Sequence, residues 1–351
     1  MTTLDWEIGS AYEFFISLQV IHAPEQYGLR PAWAAGVRAR LPTEGRKVLE
    51  DNLPFIGASD WILFSLSAPK TAATVLTTLR AIPARQRMAV MTGLEGTNRP
   101  LSDYGQALVE LAEKGHYDPA DLPHFAELFF GEQPDPATLA AFSRHLEWWS
   151  QPEAFGEAML TALEAYYQSF FAEEEQRITP VLQAALEHGQ ALAAHASVPE
   201  VLTELSQGLN YDRLLELDEL VLIPAYWSSP LISFQYLTHQ KALVFFCARP
   251  PGMALIPGEA VPDTLVRTLK ALADPMRLQI LQHLSKNELT ATMLAKKLHL
   301  RTPTVGHHLA ELRLAGLLNL RLQKQEKYYS TRRETLHQWL EMLETFVRNE
   351  E

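Results

Sequence analysis

LADPMRLQILQHL (272–284), TATMLAKKLHLRTPTVGHHLAELRLAGL (290–317) and NLRLQKQEKYYS (319–330) are the stretches whose reading decides the fold. Leu265, Leu269 and Leu272 put an apolar face on a first helix. Pro275 suits the first turn of a second helix, along which Leu278, Leu281 and Leu284 recur at helical spacing. A third helix over 290–298 is expected to bury Met293, Leu294 and Leu298. Thr302 can then cap a fourth, with Pro303 at the first helical position, where its missing N–H costs nothing. Val305, Leu309 and Leu312 face inward at i, i+4 and i+7. Beyond Gly316, Leu318, Leu320 and Leu322 alternate with Asn319, Arg321 and Gln323, as in a half-buried strand. Lys324 to Lys327 forms the turn, and Tyr328 and Tyr329 begin the return strand. The pattern is two helices, a helix–turn–helix and a two-stranded wing over 318–330.

Such a module implies contact with double-stranded DNA. A recognition helix over about 302–315 would lie in the major groove, where residues near its start reach base edges. The expected DNA-contacting residues are Arg301, Thr302, Thr304, His307, His308 and Arg313, with Lys324 and Lys327 of the wing on the backbone. Thr304 can touch a thymine methyl or a phosphate, and a histidine can bond guanine acceptors. Bulk charge points the other way, since the 351 residues carry a formal net charge of −12. The charge is unevenly spread: 262–351 has 14 Lys and Arg against 10 Asp and Glu, and the remainder 16 against 32. Only the basic tail is suited to phosphate.

Four segments, LADPMRLQIL (272–281), TPTVGHHLAEL (302–312), LAGLL (314–318) and KYYS (327–330), resemble the ArsR-type winged helix–turn–helix repressors over about the last 85 residues. The resemblance implies a bacterial transcription regulator, a repressor, working as a symmetric dimer on inverted-repeat operators. The segments WEIGSAYEFFISL (6–18) and LVLIPAYW (220–227) resemble the long extra domain of some uncharacterised bacterial members, which carries no known activity. Three departures matter. His299 stands where the family commonly has glycine in the helix–helix turn, and a histidine can take the left-handed conformation there, though few do. Gly306 replaces a frequent serine inside the recognition helix, weakening it by about 1 kcal/mol relative to alanine. Glu288-Leu289-Thr290-Ala291-Thr292 lacks the cysteine pair of the metal-sensing members, which excludes arsenic, cadmium or lead sensing there.

No metal site is expected elsewhere. Glu334, His337 and Glu341 share a face of the last helix without the further ligands that the family version needs. His188 and His195 have no matching carboxylate or cysteine spacing. That last helix, 333–348, has a wide apolar stripe, and Leu336, Trp339, Leu340, Leu343 and Val347 are the expected dimerisation residues.

The expected fold class is mainly α with a small β component. A helical N-terminal domain carrying a small sheet (1–250) would be followed by a linker (251–262) and the C-terminal winged helix–turn–helix (263–351). The boundary follows RPPGMALIPGEAVP (249–262), with four prolines and two glycines. In the first domain Ser10 can cap a helix, and helices are expected over 101–114, 136–149 and from Pro152 towards Ala194, kinked or broken at Pro180. Strands are expected over 220–223, 231–234 and 242–246, with 4–8 as a further one. The aromatic pairs Trp148-Trp149, Tyr166-Tyr167, Phe170-Phe171 and Tyr226-Trp227 are read mainly as core, although aromatic residues also line ligand pockets. A small-molecule or protein effector is expected at this acidic domain.

The single cysteine, Cys247, reads as a buried thiol and suits a reducing cytoplasm. No apolar run is long enough to span a membrane, and the first residues lack a signal-peptide pattern. Neither a nucleophile elbow, a phosphate-binding loop, a dinucleotide fingerprint nor a zinc-protease motif occurs, so no enzyme activity, catalytic residue or cofactor is expected. The alternative reading is a degenerate winged helix that serves as an interaction or dimerisation module without specific DNA binding, motivated by His299, Gly306 and the modest charge of the tail.

Overall fold

The computed structural model describes residues 2–27, 29–56, 62–63, 66–96, 101–132, 134–250, 253–256, 261–323 and 326–348. It is mainly α with two small sheets and divides into two compact units, 9–177 and 1–8 with 178–351. The expected boundary at 251–262 is not where that division falls. Arg249 crosses the Pro/Gly-rich stretch to pair with Asp263 at 2.9 Å, which also accepts a 2.7 Å bond from Leu255 N. Residues 251–252 and 257–260 of the expected linker lie outside the described residues.

Unit 9–177 is helical: α1 (Ser10–His22), α2 (Pro31–Arg38), α3 (Thr43–Asn52), α4 (Ala72–Ala81), α5 (Ala84–Thr92), α6 (Asp103–Lys114), α7 (Leu122–Phe130), α8 (Pro136–Trp149) and α9 (Pro152–Tyr166). Gly9, not Ser10, occupies the N-cap of α1, and the Ser10 hydroxyl donates to Glu175. Phe14 packs against Tyr166 and Phe171 with ring centroids 5.5 and 5.2 Å apart. The break after α9 is a five-residue π-helical segment, Tyr167–Phe171; Pro180 lies inside the following helix, α10 (Ala172–Ala193), which runs through it. Most of the paired aromatics are core: Trp149, Tyr166, Phe171, Tyr226 and Trp227 are buried.

His145 is fully buried in this unit. Its Nδ1 donates to Asn52 Oδ1 at 2.8 Å, and its Nε2 accepts from the Trp149 indole at 3.1 Å, which fixes the neutral tautomer. Burial pushes its pKa down to about 3, and burial, helped by the Arg38 charge, pushes that of His22 down to about 4. Both folded values lie below the unfolded one, so the unfolded chain gains protons first as the pH falls below about 6.5. Stability contributed by the neutral rings is complete above that pH and is lost below it. His145 alone should remove ~2 kcal/mol between pH 7 and pH 5. Urea denaturation at the two pH values checks this, and an unchanged midpoint would rule out a neutral His145 as the folded form.

In the second unit, α11 (Val198–Leu205) and the short α12 (Asp212–Leu215) accompany two sheets. One has the order β1-β3-β5-β4, with β1 (Thr3–Trp6), β3 (Glu219–Ala225) and β5 (Lys241–Cys247) parallel and β4 (Ser233–Tyr236) antiparallel to β5. β3 and β5 read as continuous apolar runs because both are central and buried. The other sheet is the wing, in the order β2-β7-β8-β6. Its strands are β2 (Leu209–Tyr211), β6 (Leu289–Thr290), β7 (Leu318–Gln323) and β8 (Glu326–Thr331). β2 was not anticipated. It pairs parallel to β7, Leu209 opposite Leu320, and ties the wing to a segment preceding the Pro/Gly-rich stretch.

Candidate nucleic-acid interface

α13 (Asp263–Leu272) and α14 (Pro275–Leu284) precede the helix–turn–helix, α15 (Ala291–Leu298) and α16 (Thr302–Leu314). Thr290 caps α15 by accepting from Met293 N at 3.2 Å. His299 closes α15 in the left-handed region, φ 55° and ψ 38°, doing the work that usually falls to glycine. The turn delivers Arg301 into the N-cap position of α16; Thr302 is its first helical residue and not its cap. No side chain caps that helix start, which leaves its positive end beside the exposed Arg301.

Val305, Leu309 and Leu312 are buried, and with Ile280, Leu284 and Leu294 they form the winged-helix core. Opposite them, Arg301, Thr302, Thr304, Gly306 and His307 are exposed. A Cβ on Gly306 would meet nothing within 4 Å, so this position is a gap in the outward face. Two expected contacts turn away. His308 is half-buried, its Nδ1 has no hydrogen-bond partner, and it lies near enough to Asp274 to act on it by charge. Arg313 is half-buried; burial lowers its pKa, and Tyr329 and Cys247 are its charge neighbours. Leu309 lies four residues before Arg313 and shares its side of the helix, so the guanidinium belongs to the inner flank.

In the wing, Gln323 pairs with Glu326 and Leu322 with Lys327, so Glu326 and Lys327 belong to the return strand and not to the turn. Lys327 is exposed, and Lys324 lies outside the described residues. Arg321 was missed by the sequence reading. It donates to Glu288 at 2.6 Å and sits 4.9 Å from the Tyr328 ring centroid, which clamps the wing to the turn before β6. The alternation of β7 could have flagged it, because Arg321 falls on the solvent face opposite Tyr328.

Other expected core residues are also displaced. Leu269, Leu278 and Met293 are 45, 48 and 47% exposed, whereas Arg267 and Thr268 are buried. In α17 (Arg333–Arg348), Leu336 and Trp339 pack against the winged-helix core. Leu343 is half-buried, and Leu340 and Val347 are exposed, as is Phe346. Among the described residues no group of three or more His, Cys, Asp or Glu stands ready for a metal, and no helix is long and apolar enough to cross a membrane.

The sequence of this region is similar to that of known proteins. The family model of bacterial regulatory proteins of the arsR family matches residues 274–319. The chain is 39% identical over 75 residues to the transcriptional activator HlyU of Vibrio cholerae, covering 21% of this chain and 69% of that one. It is 40% identical over 63 residues to the nodulation protein NolR of Rhizobium meliloti, covering 18% of this chain and 52% of that one. Among solved structures, NolR from Sinorhizobium fredii is 30% identical, with 25% of this chain and 88% of that chain covered and a TM-score of 0.21. HlyU from Vibrio cholerae is 34% identical, with 25% and 94% covered and a TM-score of 0.20. The chain belongs to the arsR family of bacterial regulatory proteins, and by class it is a DNA-binding transcription regulator. All of these likenesses fall on a quarter of the chain or less.

Proposed function

We propose that this protein is a sequence-specific regulator that binds double-stranded DNA as a homodimer and represses by occupying its operator. The observation that carries the reading is the exposed row Arg301, Thr302, Thr304 and His307 at the start of a helix whose other side is buried. Thr304 and His307 would read base edges, Arg301 and the uncapped helix start would take phosphate or guanine, and Lys324 and Lys327 would hold the wing on the backbone. Arg313 and His308 are left out because both side chains turn inward. The dimer would form through Leu340, Leu343 and Val347 of α17, extended by the exposed Val266 and Leu269 of α13, which packs beside it. Leu336 and Trp339 serve the chain's own core.

Selection of binding sites from genomic fragments at low salt tests this reading, and enrichment of an inverted repeat is expected. Arg301→Ala should weaken binding to the selected site by roughly tenfold, in the range of one good base or phosphate contact. Lys327→Ala should weaken all sequences alike and reduce the salt slope by about one. Unchanged binding by both variants would place the DNA surface elsewhere. A promoter fusion reads the sign of regulation: expression should rise when the protein is deleted. If no fragment enriches, the interaction-module reading takes its place.

A further inference from the structure

Away from the DNA face, unit 178–351 holds a cavity of about 620 Å³. Its walls come from α10, the end of α11, the β5 side of the first sheet, the last turn of α16, and α17. The size suits a small organic molecule, and Phe246 and Met342 contribute to an apolar lining. Three buried polar atoms on lining residues lack a hydrogen-bond partner: Arg249 Nε, Thr335 Oγ1 and Trp339 Nε1. The three atoms sit in the wall, closed to water, so an occupant reaches them only where a lining side chain shifts.

Arg249 is 5% exposed and held in place, with Nη1 on Met253 O and Asp263 and Nη2 on Ser229 O, while Nε has no partner among the described residues. Arg332 lines the same space. Together with Arg313, these two guanidiniums act by charge on the Cys247 thiol in the cavity wall. Desolvation outweighs them and pushes the thiol up to about 12, so it stays protonated and donates to Pro230 O at 3.1 Å. The cavity therefore offers apolar walls and the guanidiniums of Arg249 and Arg332, with Glu204 and His188 also on its lining.

We propose that this cavity binds a small amphipathic carboxylic acid, with its hydrocarbon part on the apolar walls and its carboxylate drawn by Arg249 and Arg332 towards the orphaned donors. An occupant touches the last turn of α16 and the inner face of α17 together, so its binding alters DNA affinity; this second clause rests on the function proposed above.

Isothermal titration of the full chain with octanoate and 2-naphthoate tests the site, with 1-octanol as the uncharged control. At least one acid should bind once per chain, and octanoate about tenfold more tightly than 1-octanol if it is that acid. Arg332→Gln should weaken acid binding about tenfold, and Thr335→Val, which keeps the side chain's shape, about fivefold. Thermal melting of each variant checks that it is folded. Failure of both acids to bind, or binding unaffected by either variant, overturns the proposal. Fluorescence anisotropy with a selected DNA fragment then reads the coupling, for which at least a threefold change in affinity is expected. Acid binding that leaves DNA affinity unchanged overturns the coupling and not the site. The titration needs no DNA, so a failed operator search leaves the cavity result standing.

Discussion

Asp263→Ala should cost the 178–351 unit about 3–5 kcal/mol, the usual loss when one partner of a buried ion pair is removed. Asp263 Oδ1 accepts from Arg249 at 2.9 Å and Oδ2 from Arg267 at 3.2 Å, and the two arginine side chains are only 2 and 9% exposed. Alanine would remove the carboxylate that the two desolvated guanidiniums share. Burial already lowers the pKa of Arg267, and Asp263, with Glu311 as the smaller contribution, offsets this. The damage should spread along definite routes. Arg267 also donates to Leu314 O at 3.3 Å, in the last turn of α16, and Asp263 holds Leu255 N at 2.7 Å. Hydrogen exchange of the full chain should show protection lost in α13, α16 and the chain near Leu255, with unit 9–177 unchanged. A loss below about 1 kcal/mol, the scale of an exposed pair, would mean that water screens this cluster.

Asp263 also bears on the domain boundary expected at 251–262. The prolines and glycines of 249–262 punctuate the sequence, but punctuation reports a change of chain direction and not the independence of its two sides. The residues that bridge the crossing, Arg249 and Asp263, are charged, and nothing in their local sequence says that they meet. β2 escaped for a related reason. Three residues are too few to show alternation, and Leu209–Tyr211 becomes a strand only because β7 offers it an edge.

The recognition helix was legible because a single apolar row, Val305, Leu309 and Leu312, stands among polar residues. The preceding helices were not. In α13 and α14 leucines fall on several sides, and the periodicity cannot tell the buried Leu265, Leu281 and Leu284 from the exposed Leu269 and Leu278. Buried Arg267 and Thr268 then occupy a face that any hydrophobicity pattern assigns to solvent. His299 takes the left-handed conformation that the turn demands, which its place in the turn allowed but its residue type did not favour. His308 and Arg313 were readable in principle: His308 lies three after Val305 and four before Leu312, and Arg313 four after Leu309. The cavity was beyond reach, because its walls come from segments spread between Pro180 and Met342.

Two helix-interior glycines of unit 9–177 look alike in the sequence and should respond with opposite signs. A Cβ on Gly156, in α9, would stand 1.9 Å from the carbonyl oxygen and 2.8 Å from the carbonyl carbon of Ala84, at the start of α5. Both are backbone atoms, so no rotamer can relieve the clash, and the two helices must separate. Buried Met88 and Met91 of α5 and Met159 and Leu160 of α9, which line one small pocket with Gly156, would lose contact. Arg87, which reaches Gly156 O at 3.5 Å, shifts with them. Overpacking against an immovable group lies at the upper end of its range, about 3 kcal/mol. Alanine returns up to about 1 kcal/mol through its better helix propensity. Gly156→Ala should therefore destabilise this unit by a net ~2–3 kcal/mol. At Gly36, in α2, an added Cβ meets nothing within 4 Å, so Gly36→Ala should stabilise by up to about 1 kcal/mol. Urea denaturation of the two variants in parallel reads the pair. Stabilisation by both would show that α5 and α9 do not approach this closely in solution, since propensity alone favours alanine at both positions.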